Sequence, residues 1–182
     1  MSAGHGGHID PSNKKIALLI ALLALVLAFS ETLGKSAQTA ALSLNIEASN
    51  LWAFFQAKTI RQTVLRTAAE QTAVTASSKD SQKQIEAWKK TAERYQSEPE
   101  TNEGRKELAE RAKAAEQKRD RALAAYHHYE LASAAVQIAI VLASAAIITG
   151  AMALVWIGIG LGVVGLAFCA IGFLAPTAVH LF

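Results

Sequence analysis

Glu31 and Lys35 stand one helical turn apart where an apolar run gives way to a polar one. An acid at the edge of a lipid-crossing helix is costly unless it is paired or wetted, which makes Glu31 a functional candidate. The plainer reading is an interfacial ion pair between Glu31 and Lys35. Gln137, one turn into a second apolar run, either hydrogen-bonds across helices or borders a pathway with Glu31. His5 and His8 lie in a Gly-rich tail without a carboxylate or Cys cluster, so the sequence assigns no metal to them. Tyr126-His127-His128-Tyr129 precedes the second apolar run, where amphipathic rings ordinarily anchor at headgroup depth. Gly34-Lys35-Ser36 fails as a phosphate loop, because Phe29 stands where that pattern needs Gly and an apolar helix replaces the strand. Gly158-x-Gly-x-Gly falls inside an apolar run and is no dinucleotide turn. With no Ser, His and Asp set at usable spacing, the expectation is a protein that is not an enzyme, with no catalytic residue, cofactor or metal.

The elements that hold these residues follow from where charge is absent. Hydrophobic residues make up 52% of the 182-residue chain and aromatics only 7%. No Lys, Arg, Asp or Glu occurs from Ala132 to Phe182 or from Ile16 to Phe29. A bilayer core needs about 20 apolar residues per helix, and Ala132 to Ala175 supplies roughly twice that. Two spans divided at Thr149-Gly150 fit this run, with Pro176 stopping the last. Lys14-Lys15 before the first run also fits a secretory signal ending near Ala28-Phe29-Ser30, and the segment is read as an uncleaved span. The formal charge is +3, but beyond Lys15 there are 16 basic residues against 14 acidic ones, and no nucleic-acid stripe emerges. Cys169 is the single cysteine, so no intrachain disulfide is possible.

Between these runs Ala, Leu, Gln, Glu, Lys and Arg predominate, which favours helices over strands. Breaks are expected at Ser77 to Asp80, where Ser81 and Gln84 have capping-box spacing, and at Ser97 to Gly104, which holds Pro99. The predicted class is an all-α membrane protein with three transmembrane helices, about 16–33, 131–149 and 151–175. Between the first two lies a long helical hairpin, coiled-coil-like and outside the membrane. The expected divisions are a flexible tail over 1–15, the first span at 16–33, a helical extramembrane domain at 34–130, a transmembrane hairpin at 131–175 and a short tail at 176–182.

Leu33, Ala37, Ala41, Leu44, Ala48, Leu51 and Phe55 recur at spacings of three and four, a near-heptad seam. With Trp52 and Phe54 beside it and Ala53, Ala57, Ile60 and Val64 opposite, the apolar band is wider than one neighbouring helix covers. Leu51, Trp52, Phe54 and Phe55 are therefore expected to meet both the chain's own hairpin mate and a second copy. Small residues draw stripes through the spans: Ala17, Ala21, Ala24 and Ala28; Ala132 to Gly150; and Gly158, Gly162, Gly165, Cys169 and Gly172. In lipid such stripes let helix backbones approach closely. Gly158, Gly162, Gly165 and Gly172 are accordingly candidate packing residues within or between copies.

The stretch Ala48-Ser49-Asn50-Leu51-Trp52-Ala53-Phe54-Phe55-Gln56-Ala57-Lys58-Thr59-Ile60-Arg61 resembles the hallmark of the bacterial family called domain of unknown function 4337. In that family an Ala-Ser-x-x-Trp-Ala-x-x-Gln-x-Lys-x-Ile-Lys pattern follows a first transmembrane helix. The order of a Glu/Lys-rich helical segment and a closing pair of spans ending near Gly172-Phe173-Leu174 is similar too, so the likeness covers about residues 14 to 175. The resemblance implies a small, multi-pass bacterial inner-membrane protein with no activity attached. It also implies a periplasmic middle domain and a cytoplasmic N-terminus, although the basic residues many members carry in the last turn are missing around Gly150. The expected function is a structural, scaffold or accessory component. Its partners would be the lipid bilayer, further copies in a homo-oligomer and a larger membrane complex, with no nucleic acid. The alternative is an oligomeric channel bordered by Glu31 and Gln137.

Overall fold

The computed structural model describes residues 11–179. His5 and His8, most of the tail expected over 1–15 and the last three residues lie outside that range. Among the described residues there are four helices and no strand: α1 (Pro11–Thr75), α2 (Lys79–Gln96), α3 (Arg105–Thr149) and α4 (Met152–Leu174). The first apolar run and the polar stretch after it form one unbroken 65-residue helix. No proline interrupts it, and Gly34 is the only glycine between Ile16 and Thr75. Helix already covers residues 11–15, which the expected division gave to the tail. Three helices, α1, α3 and α4, contain stretches long and apolar enough to cross a membrane.

All three breaks fall where the sequence places them, the first at residues 76–78 overlapping the expected Ser77 to Asp80. Ser97 to Gly104 separates α2 from α3, and Gly150, at φ +70°, ends α3 in the left-handed conformation that favours glycine. The start of α2 is earlier than the Ser81 and Gln84 spacing suggests. Ser78 is the N-cap, its Oγ accepting the Ser81 amide at 3.1 Å, and Asp80 lies in the first turn. That hydroxyl satisfies one of the orphan amides, and the acid complements the helix dipole. The last helix ends at Leu174, two residues before Pro176.

The chain divides into two compact units, one of residues 1–40 with 121–182 and one of 41–120. In the first, α1 turns Ile16, Leu23 and Ser30 inward at steps of seven, against Val136, Ala139, Ala143 and Ala146 of α3 and Val155 of α4. The glycine stripe of α4 is buried in this same core. A Cβ built on Gly158 would lie 3.1 Å from the Ala139 carbonyl oxygen, and one on Gly165 2.5 Å from a Val136 methyl. Gly162 faces Leu23, and Gly172 faces His128 and Tyr129. Gly158, Gly162, Gly165 and Gly172 therefore let α4 pack closely on its own chain. By contrast Ala17, Ala21, Ala24 and Ala28 are exposed.

The second unit is a helical bundle of the polar parts of α1 and α3 with α2. Its apolar centre joins Leu51 to Leu108 and Ala112, with Trp52 and Phe55 packed against them. Ala41, Ala48, Lys58, Gln62 and Ala69 continue this inward face of α1, and Ile85 and Ala92 are buried on α2.

Candidate functional site

The aromatic stretch that resembles the family hallmark forms a polar junction inside the second unit. Lys58 is only 5% exposed. Its Nζ lies 3.6 Å from Glu98 and 3.8 Å from Glu103, both in the loop that follows α2, and over the rings of Phe54 and Tyr95 at 5.4 and 5.1 Å. An ammonium leaves water at little net cost only when carboxylates and ring faces replace its hydration. One turn on, buried Gln62 donates through Nε2 to the Ala92 carbonyl at 2.9 Å and to Gln96 at 3.2 Å, and its Oε1 accepts from Arg105. The Arg105 guanidinium also covers the Phe55 ring at 4.9 Å, and Trp52 Nε1 donates to Glu116 at 2.9 Å. Trp52 and Phe55 meet edge to face at 5.5 Å.

Leu51, Trp52 and Phe55 are thus core and network residues of their own chain. Phe54, on the other flank, is partly exposed. Of the two contacts expected of the seam, the one with the hairpin mate is seen: Lys58 finds its acids in the loop after α2, and Gln62 its partners on α2 and α3. Sequence reading took in Lys58 only as the lysine of the hallmark pattern and did not single out Gln62; the signal for their inward place was the seven-residue step from Leu51 and Phe55. The loop is fixed from the other end as well. Ser97 Oγ donates to Glu107 at 2.6 Å and the Glu98 amide donates to it at 3.2 Å. The Ser97 hydroxyl, with backbone amides behind it, holds the Glu107 carboxyl below the usual carboxylate range.

In the first unit, the two polar candidates come together. Gln137 Nε2 donates to Glu31 Oε1 at 3.3 Å, and beneath them Ser30 and Ser133 share a hydroxyl hydrogen bond of 2.8 Å. Glu31 turns to the facing helix instead of pairing with Lys35, and among the described residues Lys35 makes no ion pair. These side chains line an open groove of about 440 Å³ between α1 and α3, with Tyr126 and Glu130 of α3 also in its lining. Gly34 permits that closeness, since a Cβ there would already touch Tyr129 at 3.4 Å.

The expected row of headgroup anchors divides. Tyr126 and His127 remain partly exposed, whereas His128 is fully buried and Tyr129 nearly so. His128 stacks on Phe168 at 6.1 Å, with Nε2 at 3.1 Å from the Pro176 carbonyl oxygen, an acceptor for the Nε2–H tautomer. The ring therefore ties the end of α4 to α3.

A family model described as Domain of unknown function (DUF4337) matches the chain over residues 12–175. No curated protein and no solved structure matches the chain.

Proposed function

Since the chain belongs to the DUF4337 family, which carries no activity to inherit, we propose that it is a non-enzymatic structural protein of the membrane. In this reading α1, α3 and α4 cross the bilayer, the middle segment stands outside it, and copies associate side by side through the outer face of α1.

One observation carries the association. Ile46, Asn50, Ala53, Ala57, Ile60, Val64, Thr67, Gln71 and Val74 follow one another at alternating spacings of four and three over four heptads. All but Ala57 are exposed or nearly so, with Ile60 at 65% and Val64 at 60%. At about 103° per residue this seam lies roughly 150° from the buried seam through Ala48, Leu51 and Lys58, so no helix of the same bundle covers both. A row apolar at six of its nine positions, with a 3.5-residue period, fits another helix of the same period. A second copy anchored in the same membrane arrives parallel and in register. Asn50 then faces Asn50, the polar pairing that fixes register in parallel coiled coils. Of the residues flanking the seam only Glu47, Arg61 and Glu70 are charged, and the parallel register sets none of them against a like charge. The exposed Ala17, Ala21, Ala24 and Ala28 leave the first span open to close approach by the same neighbour.

The test is the mass of the full chain in detergent. Wild type runs as a dimer or larger, and replacing Ile46, Ile60 and Val64 together with Ser shifts it to a single chain without loss of helicity. A single-chain wild type ends the proposal. The channel alternative requires Glu31 and Gln137 on an axis shared by several copies; ion flux through liposomes that changes with Glu31→Ala is its readout.

A further inference from the structure

The groove between α1 and α3 combines features that a packing seam does not need. Its floor and one wall are polar, from Ser30, Ser133, Gln137 and Glu31. One to two turns along the same face of α3, Tyr126 Oη lies 3.4 Å from Glu130. Two carboxylates, Glu31 and Glu130, and one ammonium, Lys35, line a single space without pairing with one another. Separated charges of both signs in one groove fit a ligand that carries both signs itself.

The position narrows the ligand further. The groove sits where the apolar stretches of α1 and α3 give way to charged sequence, the depth at which lipid headgroups lie if these helices cross the bilayer. Ile138 and Val141 are exposed beside and one turn beyond Gln137, so an apolar strip of α3 leads away from the polar space toward the lipid side. We propose that the groove binds the phosphoethanolamine headgroup of a membrane phospholipid, with its ammonium on Glu31 and Glu130, its phosphate on Lys35 and an acyl chain along Val141. This rests on the membrane-crossing reading of the three helices.

The lining discriminates among headgroups. A primary ammonium donates three hydrogen bonds, so it can use carboxylate, tyrosine and glutamine oxygens together. A choline headgroup has no N–H to donate, and its usual receptor is a cage of several aromatic faces, where the lining here offers two rings, Tyr126 and Tyr129, beside its carboxylates. A glycerol headgroup brings only the negative charge, into a space where acids outnumber bases. The volume, about 440 Å³, lies within the range of small-molecule sites.

The experiment is native mass spectrometry of the full chain released from detergent after equilibration with equal amounts of phosphatidylethanolamine, phosphatidylcholine and phosphatidylglycerol. Retained lipid is expected to be enriched about tenfold in the ethanolamine form, the preference that one or two charge-assisted hydrogen bonds provide. Replacing Glu31 and Glu130 together with Gln removes the preference of ethanolamine over choline, and Lys35→Gln lowers retention of all three lipids. Free phosphoethanolamine at the same concentration leaves the bound lipid in place. Equal retention of the three lipids by the wild type overturns the proposal, as does preference for the glycerol form. Displacement by the free headgroup overturns the lipid as its source. A chain that stays in solution without detergent removes the membrane reading as well, whereas an embedded chain without lipid preference removes this inference alone.

Discussion

Lys58 shows how a charged residue becomes part of a core. Its stem lies along the inward face of α1, and its ammonium ends between Glu98, Glu103, Phe54 and Tyr95. Because Glu98 also meets Arg94 at 3.4 Å and Glu103 is half exposed, neither acid is left without compensation when the lysine charge is removed. The expected cost of Lys58→Met is therefore about 1 kcal/mol, well below the 3–5 kcal/mol typical of an orphaned buried charge. Lys58→Ala, which also empties the space of the stem, costs about 2 kcal/mol. Thermal or denaturant midpoints of the two variants measure this. Amide exchange over residues 97–104 should rise in both, since the ammonium ties that loop to α1.

Among the elements, α4 is the one whose placement depends most on what is missing from its side chains. Gly165 sits against Val136 and the Ala132 carbonyl oxygen, so an added methyl must displace backbone as well as a side chain. Gly160, on the same helix, has nothing within 4 Å of its Cβ position. Gly165→Ala should destabilise the folded chain by about 1–3 kcal/mol through overpacking. Gly160→Ala should leave it unchanged or add up to about 1 kcal/mol from helix propensity. Melting of both variants in one detergent settles the comparison, and equal melting temperatures would remove the close-packing account. The same logic separates the two seams of α1. The inner one is closed by side chains of α2 and α3, and the outer one carries exposed apolar residues such as Ile46, Ile60 and Val64.

At the scale of the whole molecule, three apolar stretches joined by one long polar segment and one short turn allow a simple topological test. If all three cross the membrane, the α3–α4 turn and the α1–α2 turn lie on opposite faces. In a Cys169→Ala background, thiols introduced at Ser78 and at Ala151 should react with an impermeant label from opposite sides of oriented vesicles. Labelling of both from one side refutes three crossings. The same labelling assigns the face of the middle segment, for which Lys14 and Lys15 favour a cytoplasmic N-terminus and the family resemblance a periplasmic domain.

The sequence by itself determined the helical class, the apolar stretches, the breaks at Ser97 to Gly104 and at Gly150, the stop before Pro176 and the family. Each of these is set locally, by charge that lipid excludes, by helix propensity or by a residue whose backbone permits or forbids a turn. Only the tertiary structure decided which apolar face meets which neighbour. Periodicity gives α1 a broad apolar band but does not say which side α2 and α3 occupy, and so the roles of Leu51, Trp52 and Phe55 could not be divided from those of Ile60 and Val64. It likewise could not show that Glu31 turns to Gln137, that Lys58 is buried or that His128 reaches Pro176. These partners stand 106, 40 and 48 residues apart in the chain, and a contact between distant residues exists only once the helices have been placed.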